Sequence, residues 1–327
     1  MFNSILTKKI LYWYDNNKRV LPWRKKVSQI KKEFHTLVSE FMLQQTQVTT
    51  VIPYFNNFVK DIPNMSSLAK INENKLLKQW EGLGYYSRVK NLKKTAQIVE
   101  QNFNGRLPHT IDELKSLPGI GDYTANAIMA IAFNEPFIPL DGNIERVIKR
   151  LLSLKSVKEI SKENLIDKKK ILGTSIRSSD YAQALMELGA LVCRPKNPSC
   201  NQCPLTTNCK SFKKNDFEII KQKVRKIDKF YLIKVYKNDN KFLLIKNTKF
   251  NFLKNLKIFP MKQISKPDNL TKVLNFKMSN MNMNIIFQFT KLKSNIPGSS
   301  WIDDSKLNNY ALPTFTKKIF RYLDKIK

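Results

Sequence analysis

Residues 117–147 read LPGIGDYTANAIMAIAFNEPFIPLDGNIERV, a glycine-pinched turn opening a helix, with Asp141 in an otherwise apolar stretch twenty residues after Gly121. Gly119 and Gly121 lack a Cβ, so the turn can adopt backbone angles closed to other residues and bring its N–H groups against a phosphate. The helix expected over 123–133 points its positive end at the same anion. An ordinary helix–loop–helix connection would also read this way, so the turn gains meaning only in company. Glu40 supplies a second acid. It lies in FHTLVSEFMLQQTQVTTVIP, where Phe34, Leu37, Val38, Phe41 and Met42 recur at helical spacing and predict one helix over 34–50, ending near Pro53. A carboxyl at the edge of an apolar pocket has a raised pKa and can donate a proton near neutrality. A lone glutamate on a helix is more often a solvated surface residue. The amide-rich company of Gln44, Gln45, Thr46 and Gln47 argues for function, because amides hydrogen-bond base edges or fill a vacated place in a base stack.

The four cysteines fall within seventeen residues, Cys193, Cys200, Cys203 and Cys209, as C-x6-C-x2-C-x5-C. Clustering this tight is not a disulfide framework spread over a secreted domain. Four thiolates on one loop call for a metal, and they suit either zinc or an iron–sulfur cluster. The spacing matches neither a zinc ribbon nor a ferredoxin run, so it does not choose between them. Arg194, Lys196 and Lys210 surround the loop and could press on phosphates.

Lysine and arginine total 58 against 26 acids, a formal net charge of +32 distributed along the whole chain. A polyanionic partner is the natural inference. No apolar run approaches the roughly 20 residues that span a bilayer, and the N-terminus MFNSILTKKILYWYDNNKR reads as an amphipathic helix without a signal-peptide core. A soluble, cytoplasmic protein is expected. The front two-thirds predicts as all-helical, residues 211–227 as a basic linker, and the remainder as strands, with FYLIKVY, KFLLIKN and MNIIFQFTKL rich in β-branched and aromatic residues.

Seven motifs occur in order: LPWR (21–24), SEFMLQQTQV (39–48), WEGLGYYSRVKNL (80–92), LPGIGDYTANAI (117–128), LDGNIERV (140–147), ALMELGALVC (184–193) and the cysteine quartet. Together they resemble the adenine DNA glycosylases of the MutY family, in the helix-hairpin-helix superfamily that also holds endonuclease III. The resemblance is close over residues 1 to about 210 and weak beyond. It implies a mostly α catalytic region with an iron–sulfur cluster loop, residues 25–133 forming a six-helix domain and residues 1–24 with 134–210 a cluster domain. A C-terminal α+β, Nudix-like domain over 228–327 would follow. The cofactor implied is a 4Fe-4S cluster on the four cysteines. The partner implied is double-stranded DNA carrying adenine opposite 8-oxoguanine or guanine, met by a monomer in the nucleoid.

The reaction implied is hydrolysis of the N-glycosidic bond of a flipped-out adenosine. Glu40 matches the family's catalytic glutamate, which protonates N7 of adenine and later activates water. Asp141 matches the aspartate that stays ionised beside the oxocarbenium-like sugar. Tyr123 and Asn143 match residues that orient these two. Arg19, Leu21, Trp23, Arg24, Val48 and Gln183 fall where the family lines its adenine pocket, although from the residues alone Leu21 and Trp23 read better as core. Gln45 and Tyr85 match residues that wedge into the duplex. Gly119 and Gly121 match the phosphate-binding hairpin. Tyr123 stands where the endonuclease III branch carries a Schiff-base lysine, which implies base removal without efficient strand cleavage. An endonuclease III-like pyrimidine glycosylase with lyase activity and an inactive, cluster-bearing DNA-binding protein are the two rival readings. In the C-terminal region the family's Phe-Ser-His reader of 8-oxoguanine corresponds to Met278, Ser279 and Asn280, of which only Ser279 matches. The glutamate-rich Nudix motif is missing, so Nudix hydrolysis is not expected.

Overall fold

The computed structural model describes residues 5–155, 161–218, 226–267, 273–278, 281–292 and 296–325. The chain divides into two compact units, Met1–Ile71 with Lys90–Lys221, and Asn72–Val89 with Gln222–Lys327. Residues 72–89, expected inside the six-helix domain, thus group with the C-terminal region. Within that unit the Glu81 carboxylate pairs with Lys317.

The helices run α1 (Ile5–Asn17), α2 (Gln29–Leu43), α3 (Val48–Asp61), α4 (Met65–Lys70), α5 (Glu73–Gln79), α6 (Ser87–Phe103), α7 (Ile111–Ser116), α8 (Asp122–Ile131), α9 (Gly142–Leu152), α10 (Lys162–Lys168), α11 (Ser178–Glu187) and α12 (Lys210–Lys213). The expected helix over 34–50 is corrected by the structure. It breaks after Leu43, Gln45 takes a left-handed φ of 57°, and α3 starts at Val48 with Pro53 inside it. Pro53 lies past the first turn of α3, so the helix forgoes there the backbone hydrogen bond that would run back to residue 49.

In the first unit, α1, α9 and α11 bury Ile10, Tyr14, Ile144, Ile148, Tyr181 and Leu185 in one core, against which Cys193, Cys203 and Cys209 pack. Burying such side chains contributes about 1.5–3 kcal/mol each. The α11 helix continues into a π-helical turn, Leu188–Val192, that delivers the chain to Cys193. The segment expected as a linker from residue 211 starts instead with an ordered piece, whose residues 216–218 are hydrogen-bonded by Arg150 and Lys155.

The second unit holds β1 (Ile227–Val235), β2 (Lys237–Asn238), β3 (Lys241–Lys246), β4 (Lys257–Ile258), β5 (Met261–Ile264), β6 (Leu274–Met278), β7 (Met281–Phe289), β8 (Ser299–Asp303) and the helix α13 (Thr314–Lys325). One sheet has the order β5-β1-β7-β6, with β1 and β7 parallel; the other runs β2-β3-β4, with β8 paired to β3. Tyr231, Ile233 and Val235 alternate inward on β1 and meet Phe315, Ile319 and Phe320 of α13 in a shared core. The architecture is a helical region plus an α+β region, as expected. Ser279 lies outside the described residues, as does Asn280.

Candidate active site

Glu40 emerges from the middle of the apolar face of α2 and is only 4% exposed. Its Oε2 atom has no hydrogen-bond partner. Burial pushes its carboxyl up to about 7; the Asp141 charge adds to the rise, while a hydrogen bond from Tyr123 and the charge of Arg24 oppose it. Tyr123, in the first turn of α8, brings its hydroxyl to that carboxyl and to Met186 Sδ at 3.6 Å. The phenol is itself driven well above its ordinary value by burial and by the two nearby acids. A buried acid poised near neutrality with an unused oxygen is built to exchange a proton.

Asp141 caps the N-terminus of α9. Its Oδ1 accepts the backbone N–H groups of Asn143 (3.0 Å) and Ile144 (2.7 Å), and its Oδ2 accepts the Asn143 side-chain amide at 2.8 Å. Burial raises its carboxyl above the usual range, and those hydrogen bonds counter the rise. The helix dipole favours the anion at the same place. Asn143 is held in turn by Arg146, whose Nη2 donates to Asn143 Oδ1 at 2.8 Å and to Gly189 O at 2.6 Å, while Nε donates to Cys193 O at 2.6 Å. One guanidinium therefore ties the carboxylate's holder to the start of the cysteine loop.

Glu187, at the end of α11, has a fully buried carboxylate that pairs with Arg19 at 2.9–3.1 Å and with Arg24 at 2.9 Å. The Arg24 Nε atom is buried without a partner. Buried polar atoms without partners are rare, and an orphan donor in the same site as an orphan acceptor calls for a polar ligand or an ordered water. Leu21 is buried and Trp23 is half-buried, its ring edge-on to Phe55 at 5.4 Å. Val48 is half-buried at the start of α3. Gln183 is buried, but its amide donates to Ser179 O one turn back, so it is satisfied inside its own helix.

Of the two hairpin glycines, only Gly119 needs to be one. Its φ is 82°, and an added Cβ would lie 2.9 Å from Asn91 Cβ and from the Phe41 ring. Gly121 has ordinary extended angles and caps α8, and a Cβ there would meet nothing within 4 Å. The expectation that both turn positions need special backbone angles is corrected accordingly; position 121 instead leaves the helix end bare. Thr95 pins the turn to α6 through Pro118 O at 2.9 Å. Gln45 and Tyr85 both sit at positive φ, 57° and 48°, and are exposed. Such strain costs on the order of 1–3 kcal/mol in non-glycine residues and persists only where the surrounding structure holds it.

The four cysteines are free thiols lining one cavity with Arg150, Val192, Pro198, Thr206, Phe212 and Phe217. Arg150 Nη1 lies 3.5 Å from Cys193 Sγ, and Leu205 N–H points at Cys203 Sγ from 3.4 Å. Burial raises the thiols of Cys200, Cys203 and Cys209, that of Cys203 to about 12. Among the described residues no three histidine, cysteine or acidic side chains gather as ligands of a single metal ion. Arg194 is folded back onto its own loop, donating to Asn197 O and Ser199 Oγ at 3.0 Å, and is not extended toward a phosphate.

Residues 38–169 match the family described as HhH-GPD superfamily base excision DNA repair protein. An adenine DNA glycosylase of Buchnera aphidicola subsp. Baizongia pistaciae is 40% identical over 246 residues, covering 73% of this chain and 69% of that protein. The chain belongs to the adenine DNA glycosylase family. The human adenine DNA glycosylase is 38% identical over 209 residues, 62% of this chain and 38% of its own length. A thermostable thymine-DNA glycosylase (TM-score 0.56, 24% identity, 64% of this chain and 96% of that one) and an endonuclease III (TM-score 0.51, 23% identity, 64% and 95%) share the fold. Among the described residues no helix is long and apolar enough to cross a membrane.

Adenine DNA glycosylase motifs led to Glu40, Tyr123, Asp141, Asn143, Arg19 and Arg24, and the structure brings all six into one site. Three residues of that site were missed. Glu187 shares Asp141's signal, a single acid in an apolar run, in ALMELGALVC. Arg146 is three residues beyond Asn143 on the same helix. Gly189 gives no sequence sign of its purpose, which is contact: an added Cβ would stand 2.6 Å from Asn143 Cβ and 2.8 Å from Asn143 O. Gly189→Ala is expected to push Asn143 off Asp141, lowering stability by about 1–3 kcal/mol and slowing base release. Thermal melts together with single-turnover rates check this. An alanine variant with unchanged melting and rate would mean that the contact relaxes freely.

Proposed function

We propose that this protein is a monofunctional adenine DNA glycosylase that removes adenine mispaired with 8-oxoguanine or guanine in duplex DNA. The observation that carries the reading is the pairing of Glu40, buried and poised near neutrality with an unpartnered oxygen, with Asp141, an acid held by three donated hydrogen bonds. Breaking the glycosidic bond leaves an electron-rich base and an electron-poor sugar. Protonated Glu40 donates to N7 of the extruded adenine, and Tyr123 keeps its carboxyl in place. Ionised Asp141 faces the cationic sugar, with Asn143 fixing its orientation. Arg24 and Glu187 wall the base pocket, where the unused Nε donor of Arg24 can meet an acceptor on the purine edge. The bare N-terminus of α8 behind Gly119 and Gly121 takes a backbone phosphate, and the +32 charge supplies the salt-dependent remainder of binding. Gln45 and Tyr85 wedge the duplex. Ser279 contributes to reading the base opposite.

The four cysteines fit an iron–sulfur cluster. They edge a shared apolar cavity, and two N–H donors face the sulfurs. A 4Fe-4S cluster held by Cys193, Cys200, Cys203 and Cys209 would give this loop its rigidity, the positive iron offsetting the cost of buried thiolates. The site of action is the nucleoid, by way of DNA binding.

The deciding experiment incubates purified protein with duplexes carrying adenine opposite 8-oxoguanine, adenine opposite guanine, or oxidised pyrimidines, and treats half of each sample with alkali. Cuts at adenine that require alkali are expected. Cuts at pyrimidines without alkali would replace this reading with a lyase, and binding without cuts would replace it with an inactive binder.

A bell-shaped pH dependence of base release is also expected. The alkaline limb follows loss of the Glu40 proton near pH 7, and the rate falls about tenfold per pH unit beyond it. The acid limb follows protonation of Asp141, whose raised carboxyl places that limb above the ordinary aspartate range. The limbs belong to the coupled pair. Single-turnover rates across pH check this, and a flat alkaline side would remove Glu40 from proton transfer.

A further inference from the structure

The chain does not run free after its last cysteine. Past α12, Asn215 takes a left-handed φ of 48°, and Asp216 N–H donates back to Ser211 O at 3.0 Å, reversing the direction of the backbone. Two cations near the end of α9 then hold the returning residues. Arg150, only 4% exposed, donates through Nε and Nη2 to Phe217 O at 3.2 and 3.1 Å, while its Nη1 and Nη2 hold Arg194 O and Pro195 O at 2.6 and 2.9 Å. Lys155 Nζ lies 2.7 Å from both Asp216 Oδ1 and Glu218 O. The guanidinium carbon of Arg150 stands 5.9 Å from the centre of the Phe217 ring. Phe217 and Phe212 share the cavity lining with all four cysteines.

The geometry points to a strap: residues 211–218 close the cysteine cavity, and Phe217 is its seal. One buried guanidinium grips the first carbonyls of the cysteine loop and the carbonyl of the sealing residue, so the loop and its cover are ordered together. The anchors are charge-assisted hydrogen bonds, short at Lys155 (2.7 Å) and longer but doubled at Arg150 (3.1 and 3.2 Å). The seal is a half-buried ring that excludes water and small solutes from the sulfurs. Solvent access governs how readily thiolates and iron–sulfur clusters are attacked, so the strap sets the lifetime of whatever the cysteines hold. That this occupant is an iron–sulfur cluster rests on the reading above; the strap itself does not.

The test uses the full chain carrying Phe217→Ala or Phe217→Leu. Two rates are measured: iron release to a chelator from protein as purified, and labelling of the four thiols by a charged aromatic disulfide after iron removal. Phe217→Ala is expected to raise both roughly tenfold, the loss of a partly buried ring weakening a local closed state. Phe217→Leu should return both most of the way, with melting temperatures close to the parent. Unchanged labelling and release in Phe217→Ala would overturn the strap. Parent protein that binds no iron would overturn the cluster reading instead, and the labelling arm would still decide the strap. Should Phe217→Ala fail to fold, Lys155→Met, which cuts a surface anchor, is expected to accelerate labelling, and equal rates there would overturn the proposal.

Discussion

Glu40→Gln is expected to slow base release by about two orders of magnitude or more while leaving the protein more stable than the parent at mildly alkaline pH. The two effects share one cause. Burial lifts the Glu40 carboxyl from 4.5 to about 7, so folding favours its protonated form. Its contribution to stability is complete below the unfolded value of 4.5 and is lost as pH rises through about 7. Above that, the parent carries a buried carboxylate with an unpartnered oxygen. Glutamine has the same shape without the charge. The variant's advantage should therefore grow with pH and reach about 3 kcal/mol at most, by the conversion of pKa shift into free energy. Thermal melts of both proteins on either side of neutrality, run beside single-turnover rates on an adenine mispair, read both effects. A variant that released adenine at the parental rate would remove Glu40 from the chemistry. A stability difference that did not change with pH would mean that the carboxyl is solvated.

The sequence made the site legible where chemistry is local and hid it where chemistry is assembled. The period of Phe34, Leu37, Val38, Phe41 and Met42 located the face carrying Glu40, because apolar spacing is a direct image of burial. The same period runs on past Gln44, so the helix break was not visible: the left-handed turn at Gln45 is imposed by tertiary context, and glutamine advertises no such preference. Glu187 was missed for a different reason. Its partners Arg19 and Arg24 lie more than a hundred and sixty residues away in sequence, and only packing of α11 beside the residues that follow α1 unites them. Gly189 and Gly119 need their missing Cβ, one against Asn143 and the other against Asn91 and Phe41, whereas Gly121 does not. Three glycines that look alike in sequence thus differ wholly in constraint. In the C-terminal region the strands announced themselves by β-branched alternation. The parallel pairing of β1 with β7 across the intervening strands did not, since non-local register carries no short-range signal.

The basic stretch after Cys209 shows how composition can mislead. Lysines without an apolar stripe predict a solvated linker, yet Arg150 and Lys155 fasten residues 216–218 by hydrogen bonds to backbone carbonyls and to Asp216. Backbone acceptors exist at every residue, so sequence cannot say which are used.

Asp141→Asn is the substitution that separates a helix cap from a catalytic charge. Asparagine is as good an N-cap as aspartate, while alanine forfeits about 1 kcal/mol of capping. Asp141→Asn keeps the cap and should therefore melt above Asp141→Ala, though below the parent. Both should lose base release by about a hundredfold or more, because neither places a negative charge against the cationic sugar. The asparagine variant carries a second defect that alanine does not: its amide nitrogen would meet the Asn143 amide that now donates to Asp141 Oδ2 at 2.8 Å. Asn143 cannot simply turn round, since its oxygen accepts from Arg146 at 2.8 Å. Asp141→Ser, which caps without crowding Asn143, is expected to melt well and to remain as slow as the other two. If instead the rates followed the melting temperatures, with the capping variants fast and alanine slow, Asp141 would be a structural cap only, and the stabilising charge would have to come from elsewhere.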